Sequence, residues 1–398
     1  MVSGVGNNST PPETNMTLKK TLTAVAAAVC AAACGTAAAS DIQIYGNVAT
    51  GLYYSHTEGG DDSLGLAAFK QTPMDTYFGM KTKETLGNGW YAGAQLEAGY
   101  NVDSGKLVNE NRIADRVARV FIGNGAFEMS AGRMPNFTCA TAPYSFYGRM
   151  RANQTRSGML GPAPAFISFN TGSIDNMIAF ASSNPTGFVY QALYSNGEEA
   201  EETKYDWADN RHVGQIALGW VGERLRMGTV LSYERFSHVP KEDKIGERKD
   251  DAMGIHLIAS YDMSPLTVSG VVYLANNERR IGNNAGLDNI LNLGNDNKFA
   301  NRAEGLDMQA FYVSAGYTMG PHYFAGSLGW LNAELNGSTE GYPEDNGSAF
   351  LGALVYYYSL SKRTQLYAFT SHMDGRKLLD KGFNFNQTTA GMGLMHKF

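Results

Sequence analysis

The chain closes on GMGLMHKF, residues 391–398, with Leu394, His396 and the terminal Phe398 at alternate positions. Alternation is the period of a β-strand, whereas chain ends are usually frayed, polar and solvated. A last strand built this way is either the edge of an open sheet, with a row of unpaired backbone groups, or the seam of a closed one. The rest of the sequence decides between the two.

Segments of about ten residues with period-two alternation recur from Asp41 onward. In LTVSGVVYL, Leu266, Val268, Val272 and Leu274 fall on one face and Thr267, Ser269 and Tyr273 on the other. In LRMGTVLSYE, Leu225, Met227, Leu231 and Tyr233 oppose Arg226, Ser232 and Glu234. No apolar run after Asp41 approaches the roughly 20 residues that a membrane-crossing helix needs. Gly 46, Tyr 22 and Phe 19 against Pro 12 suit strands and tight turns. The net charge of -6 and the lack of a basic block argue against nucleic acid as a partner.

The connections also alternate. Short ones (Asn184–Gly187, Val221–Arg224, Met263–Pro265, Met319–His322, Leu360–Arg363) are separated by long polar ones, among them SNGEEAEETKYDWADN (195–210), SHVPKEDKIGERKDD (237–251), 276–305 and 336–347. A β-sandwich also yields one wet face per strand, but it does not require a long polar loop at every second connection. A meander crossing a bilayer does, with short turns at one rim and long loops at the other. The pattern predicts an all-β transmembrane antiparallel barrel of about 16 strands, an even number that returns both termini to one side. In lipid an unpaired edge is intolerable, so the last strand must pair with the first: 385–398 with 42–54, Phe398 facing the interfacial aromatic girdle.

MTLKKTLTAVAAAVCAAACGTAAAS, residues 16–40, places Lys19 and Lys20 before an apolar run and small residues after it, the layout of a secretory signal peptide. The run is short for a transmembrane anchor, and the weak lipoprotein-like box at Cys34 has Ala31 where a larger aliphatic residue is usual. Residues 1–15 read as a misassigned start or a disordered tail, and 41–398 as one barrel domain. Cys30 and Cys34 lie in the leader, which leaves Cys139 alone and no intrachain disulfide in the mature chain.

Five stretches, in order, resemble the Gram-negative general porins, trimeric outer-membrane diffusion channels. IYGNVATGLYY (44–54) is similar to the family's first strand, and TYFGMKTKETLGNGWYAGAQLEAGY (76–100) to its second and third. RVARVFIGNGAFEMSAGR (116–133) is similar to the fourth and fifth, and LSKRTQLYA (360–368) and GMGLMHKF to the late turn and terminal strand. The resemblance implies an outer-membrane location and a homotrimer in contact with outer-membrane lipids. It also implies passage of ions and small hydrophilic solutes, and a role for Phe398 as the signal read by the insertion machinery. It further implies that the loop after the fifth strand, Met134 to about Phe169, folds into the lumen and narrows it; the alternative is an external surface loop.

Porins of this kind place basic residues on the wall and acidic ones on the inserted loop, which makes a transverse field. Here Asn47, Tyr77 and Ala179 occupy positions where wall cations are frequent, and Arg116 remains. Between Glu128 and Asp175 there is no carboxylate, while the loop carries Arg149, Arg151 and Arg156. The expectation is that basic residues have moved from wall to loop. Strand parity points Tyr77 and Lys81, Gln95 and Glu97, and Glu128 inward, so that Glu97 and Glu128 oppose the loop arginines. The constriction is therefore expected to comprise Arg116, Arg149, Arg151, Arg156, Tyr77, Lys81, Glu97 and Glu128, with a mild anion preference. The competing reading ties the loop arginines up in structural pairs or stacks them on Tyr144, Phe146 and Tyr147; Arg133 serves either the pore or a subunit contact.

Two other function classes compete. A barrel enzyme such as an outer-membrane lipase needs a nucleophile and base, and neither Gly-x-Ser-x-Gly nor His-Glu-x-x-His occurs. A soluble sugar-binding β-protein is the third class. No cofactor or metal motif is found; the Gly-x-Gly pairs at Gly87, Gly123 and Gly391 lack the third glycine and following helix of a nucleotide site.

Overall fold

The computed structural model describes residues 41–60, 62–67, 76–109, 112–139, 143–152, 173–196, 211–235, 251–278, 280–281, 285–286, 303–337, 344–381 and 385–398. Sixteen strands form the wall. They are β1 (Asp41–Thr57), β2 (Tyr77–Gly87), β3 (Trp90–Gly99), β4 (Val117–Gly123), β5 (Phe127–Pro135), β6 (Ser173–Ser182), β7 (Gly187–Ser195) and β8 (His212–Val221). Then follow β9 (Leu225–Arg235), β10 (Ala252–Asp262), β11 (Leu266–Glu278), β12 (Ala303–Met319), β13 (His322–Gly337), β14 (Asn346–Ser359), β15 (Thr364–Lys377) and β16 (Gln387–Lys397). Among the described residues the helices are two single turns, α1 (Phe146–Arg149) and α2 (Leu378–Lys381), and no helix is long and apolar enough to cross a membrane.

Every wall strand pairs antiparallel with its neighbour, and the ring closes where β1 meets β16, in register from Asn47↔Lys397 to Thr57↔Gln387. The sequence places the seam there because only a partner on both sides satisfies a terminal strand in lipid. The backbone of Phe398 donates to Gly46 at 3.1 Å and accepts from it at 3.2 Å. Its ring covers Gly46: a Cβ there would fall 2.4 Å from the Phe398 ring. The terminal aromatic thus fills space that a missing side chain leaves open on the first strand. Sequence alternation does not disclose that the other flank of β1 is divided. Residues Asp41–Asn47 pair with β2, and Gly51–Ser55 pair with a short additional strand, Ser63–Ala67.

The outward faces carry a continuous set of exposed large apolar residues, for example Phe78, Leu96, Val120, Ile216, Leu257, Phe311, Leu328, Leu354 and Met392. Exposed apolar area on this scale is incompatible with water and matches a bilayer-facing band. The inward faces are less uniform than alternation suggests. On β2–β5 they carry the charged groups, with Val117, Phe121 and Met134 among them, whereas on β12–β15 they include Met308, Leu331, Leu335, Leu351 and Met373, all buried. The expectation of a polar interior is corrected there. The cause is a second inward element: α2 packs on β14 and β15, and Leu378, Leu379 and Phe385 join the same apolar cluster. Asn386 fastens this return, donating to Asp380 at 2.6 Å and accepting from the Gly375 amide at 2.6 Å.

Deleting Phe398 removes both the ring over Gly46 and two seam hydrogen bonds. The expected outcome is a severe loss of assembled, heat-modifiable protein in outer-membrane fractions. Any molecules that do assemble should show near-normal conductance in 1 M KCl, because Phe398 lies outside the lumen. Normal insertion of the truncated chain would refute this account of the terminus.

Candidate functional site

The lumenal charges begin on β2–β5. Strand parity directs Tyr45, Lys81, Lys83, Gln95, Glu97, Arg119 and Glu128 inward, and the tertiary contacts tie most of them into one ladder. Arg116 Nε donates to Glu97 Oε1 at 2.6 Å, and Tyr45 Oη donates to Glu97 Oε2 at 3.0 Å. Gln95 Nε2 donates to Tyr45 Oη at 2.7 Å and its Oε1 accepts from Arg119 Nε at 2.9 Å. Arg119 Nη1 then reaches Glu128 Oε1 at 2.9 Å, and Glu128 also accepts from Tyr91 and from the loop residue Tyr144. Aromatic faces support the cations: Arg116 lies over Tyr77, Arg119 over Phe121 and Tyr144, Lys81 over Phe121, and Lys83 over Tyr91 at 3.8 Å. Lys81 and Lys83 make no ion pair among the described residues.

The second part of the site is the chain after β5. Residues 136–139 and 143–152 run along the inward faces of β8–β11, as a series of contacts demonstrates. The Phe137 amide donates to Gln215 at 3.0 Å; Ser260 and Ser269 donate to the carbonyls of Met150 and Ala152 at 2.6 and 3.0 Å. The Phe146 ring occupies a slot made by two facing glycines, Gly219 and Gly228, where a Cβ on Gly228 would come within 2.6 Å of it. Ser145 caps α1 by accepting from the Gly148 amide at 2.9 Å. Burial pushes the Tyr144 phenol up, which keeps it a donor to Glu128.

α1 lies close to the short-turn rim. Arg149 donates to the carbonyls of Ser182 and Asn184, in and beside the β6–β7 turn. Arg151 pairs with Asp262, the last residue of β10, at 2.6 Å, and Arg226, second in β9, donates to the Arg149 carbonyl at 2.9 Å. Two sequence expectations change as a result. Basic residues have not left the wall, because Arg119 and Arg226 project from it; Arg119 was visible by parity from Val117 and Phe121 but sits outside the wall positions carried over from the family. Glu97 and Glu128 do not face the loop arginines; they are held by Arg116 and Arg119. Arg149 and Arg151 are engaged at the turn rim instead, and Arg156 lies outside the described residues. Arg133 is engaged too, pairing with Asp175 at 2.5 Å and donating to the Asp115 carbonyl. Cys139 is buried.

A closed sixteen-stranded barrel with an apolar outer band is the architecture of a transmembrane β-barrel, and comparison with known proteins identifies the family. A family model described as Gram-negative porin matches residues 24–378. The chain belongs to the Gram-negative porin family. It is therefore an outer-membrane channel. It is 24% identical over 406 residues to an outer membrane porin protein of Bordetella pertussis, covering 96% of this chain and 100% of that protein. Among solved structures it resembles an anion-selective porin from Comamonas acidovorans at 19% identity and TM-score 0.64, covering 90% of this chain and 100% of that one. It also resembles Salmonella typhi OmpF in complex with daunomycin at 12% identity and TM-score 0.61, covering 90% of this chain and 97% of that one. At such identities the structural likeness concerns the fold.

Arg119 is almost fully buried and bridges Gln95 and Glu128. Its replacement by Met leaves Glu128 with neutral donors only, and breaking a buried pair from one side costs about 3–5 kcal/mol. Arg119→Met is expected to lower the temperature at which the folded form converts to the unfolded one on heating. Arg119→Met/Glu128→Gln is expected to recover much of the loss; an unchanged transition in Arg119→Met would contradict the ladder.

Proposed function

We propose that this porin is a homotrimeric diffusion channel with a mild preference for small hydrophilic anions, exported by the leader of residues 16–40 and narrowed by the chain after β5. The observation that carries the anion preference is the excess of cations over carboxylates in the turn-side half of the lumen. Lys81, Lys83, Arg119, Arg149, Arg151 and Arg226 stand there against Glu128 and Asp262. Fixed charge between low-dielectric walls raises the local concentration of its counterion, and the effect grows as salt falls. The solved relative from Comamonas acidovorans is described as anion-selective, in keeping with this reading. In a salt gradient the zero-current potential is expected to carry the sign of anion preference, most clearly at low salt. Changing Arg149, Arg151 and Arg156 to Gln should shift that potential toward cations; no shift would assign selectivity to the wall residues alone.

Trimerisation is supported by the outer face of β3–β5. Ala92, Ala94, Ala98, Ala118 and Ala131 lie there among the exposed Leu96, Val120 and Met129. A face with several small side chains suits close approach of another protein surface. Cyclic symmetry would close such an assembly. Light scattering with detergent correction should give three chains per particle, and Ala94→Trp/Ala118→Trp should reduce this number; a native monomer at all concentrations would overturn the trimer.

A further inference from the structure

Lys81 and Lys83 stand two residues apart on the inward face of β2, which sets their backbones about 7 Å apart along one strand. Aromatic faces on the next two strands steer both side chains. The Lys83 ammonium lies 3.8 Å over the ring of Tyr91, and that of Lys81 lies 5.1 Å over Phe121. The two rings meet edge to face with centroids 6.3 Å apart, so one aromatic platform carries both cations. Phe121 reaches that place because Gly93, which separates it from Lys83 in the sheet, presents bare backbone: a Cβ there would fall 2.5 Å from the ring.

Neither lysine is paired with a carboxylate among the described residues. Arg119, Glu128 and Lys83 are the charges that act on Lys81 from nearby. Glu128 is engaged elsewhere, since its Oε1 accepts from Arg119 and Tyr144 and its Oε2 from Tyr91. Glu84 belongs to the outward face of the strand, and the inserted stretch 136–172 contains no Asp or Glu. Lys81, Lys83 and Arg119 against Glu128 leave a local sum of two positive charges. An ammonium resting on a ring keeps donors free on its other side, because each lysine has three. A monovalent anion satisfies one of the two groups. An anion with two negative charges satisfies both and cancels the local sum.

We infer that Lys81 and Lys83 form a binding subsite for small divalent anions, at which such solutes pause during passage. The inference rests on the proposed excess of lumenal cations and adds that these two act as a pair with a preferred valence. Scattered cations raise the concentration of every anion as a diffuse cloud. Two ammonium groups on one platform instead hold a single dianion through charge-assisted hydrogen bonds, which makes its passage saturable. Tyr91 and Phe121 are positioning residues, since they fix the ammonium groups without neutralising them. The chemistry recognised is the double charge, carried on one centre as in sulfate or on two as in succinate.

The test is the conductance of the mature protein in planar bilayers along mixtures of KCl with potassium succinate, sulfate or acetate. Potassium is held at about 0.1 M on both sides, where screening extends about 10 Å. Conductance with succinate or sulfate should fall below the straight line joining the two pure salts, whereas acetate mixtures should follow the line. Half of the fall is expected at a dianion concentration about tenfold below that at which acetate has any effect, the factor that one further charge-assisted contact supplies. Lys81→Gln/Lys83→Gln should abolish the dip and Lys81→Arg/Lys83→Arg should retain it, with heat-modifiable migration verifying assembly of each. Should the double Gln variant assemble poorly, Lys83→Gln alone, at an exposed lumenal position, gives the same reading. Straight-line behaviour of the native channel with both dianions, an equal effect of acetate, or a dip that survives the Gln changes would overturn the inference. A dip with only one of the two dianions upholds the subsite and tells whether its charges must stand apart. Straight mixtures in a channel with an anion-preferring zero-current potential would remove the subsite and leave anion selectivity standing. A dip that the Gln changes abolish, in a channel with a cation-preferring potential, would do the reverse.

Discussion

The structure depends on one constraint: a strand in hydrocarbon cannot leave its backbone groups unpaired, so the first and last strands must meet. An unsatisfied amide or carbonyl in lipid costs several kcal/mol, about as much as a large fraction of a domain's net stability, and an open edge would have a row of them. The β1–β16 seam removes the edge at the price of forming the contact of greatest sequence separation in the chain. Precise closure is helped by a pair of unlike residues, Gly46 and Phe398, whose backbones exchange two hydrogen bonds while the ring of one covers the bare backbone of the other. A larger residue at 46 would collide with that ring. The seam therefore specifies register as well as closing the ring.

The same complementarity of glycine and aromatic ring places the lumenal elements. Phe146 enters the slot of Gly219 and Gly228, Tyr45 lies against Gly79, and Phe121 lies against Gly93. In each case the wall provides a vacancy where a strand would ordinarily present a side chain, and an aromatic ring occupies it. Dispersion contacts with bare backbone then hold an inserted segment in place without any covalent link. Polar anchors complete the fit. Ser260, Ser269 and Gln215 satisfy backbone groups of the inserted chain that would otherwise be buried without partners, since that chain forms little regular structure of its own.

The wall was readable in the sequence and the lumen largely was not. Alternation in stretches such as 225–234 and 266–274, together with the lengths of the connections, was sufficient for strand number, topology and the seam, because these rest on a period of two and on the closure requirement. The inward direction of Lys81, Glu97 and Glu128 followed from the same period. What alternation could not supply was partnership. Whether Glu128 meets a loop arginine or the neighbouring Arg119 depends on the path of the inserted chain, whose arginines engage Ser182, Asn184 and Asp262. Nor could a period-two pattern separate an apolar residue that faces lipid from one such as Leu331 or Leu351 that faces an inward-folded return, since both are simply hydrophobic. The division of β1 between β2 and the strand Ser63–Ala67 is likewise a tertiary choice, because the five-residue segment has no signal distinguishing it from a loop.

How the charged groups are partnered determines what each does for the channel. Arg119 is buried against the half-buried Glu128, and much of their mutual attraction is offset by the cost of taking them out of water; they contribute geometry and little net field. Glu97 with Arg116 and Glu234 with Arg211 are similar, each pair cancelling at short range. Lys83 is different. It is exposed, and among the described residues it rests on the face of Tyr91, which restrains the ammonium group without neutralising it. Arg226 is held by a carbonyl, with Asp262 and Arg151 acting on it from nearby. A neutral dipole or quadrupole can position a cation while leaving its full charge to act on passing ions, whereas a carboxylate positions it and removes that charge. The field in the lumen is consequently set by the few cations held by rings and carbonyls, and the more numerous salt-bridged residues serve to keep the wall rigid around them.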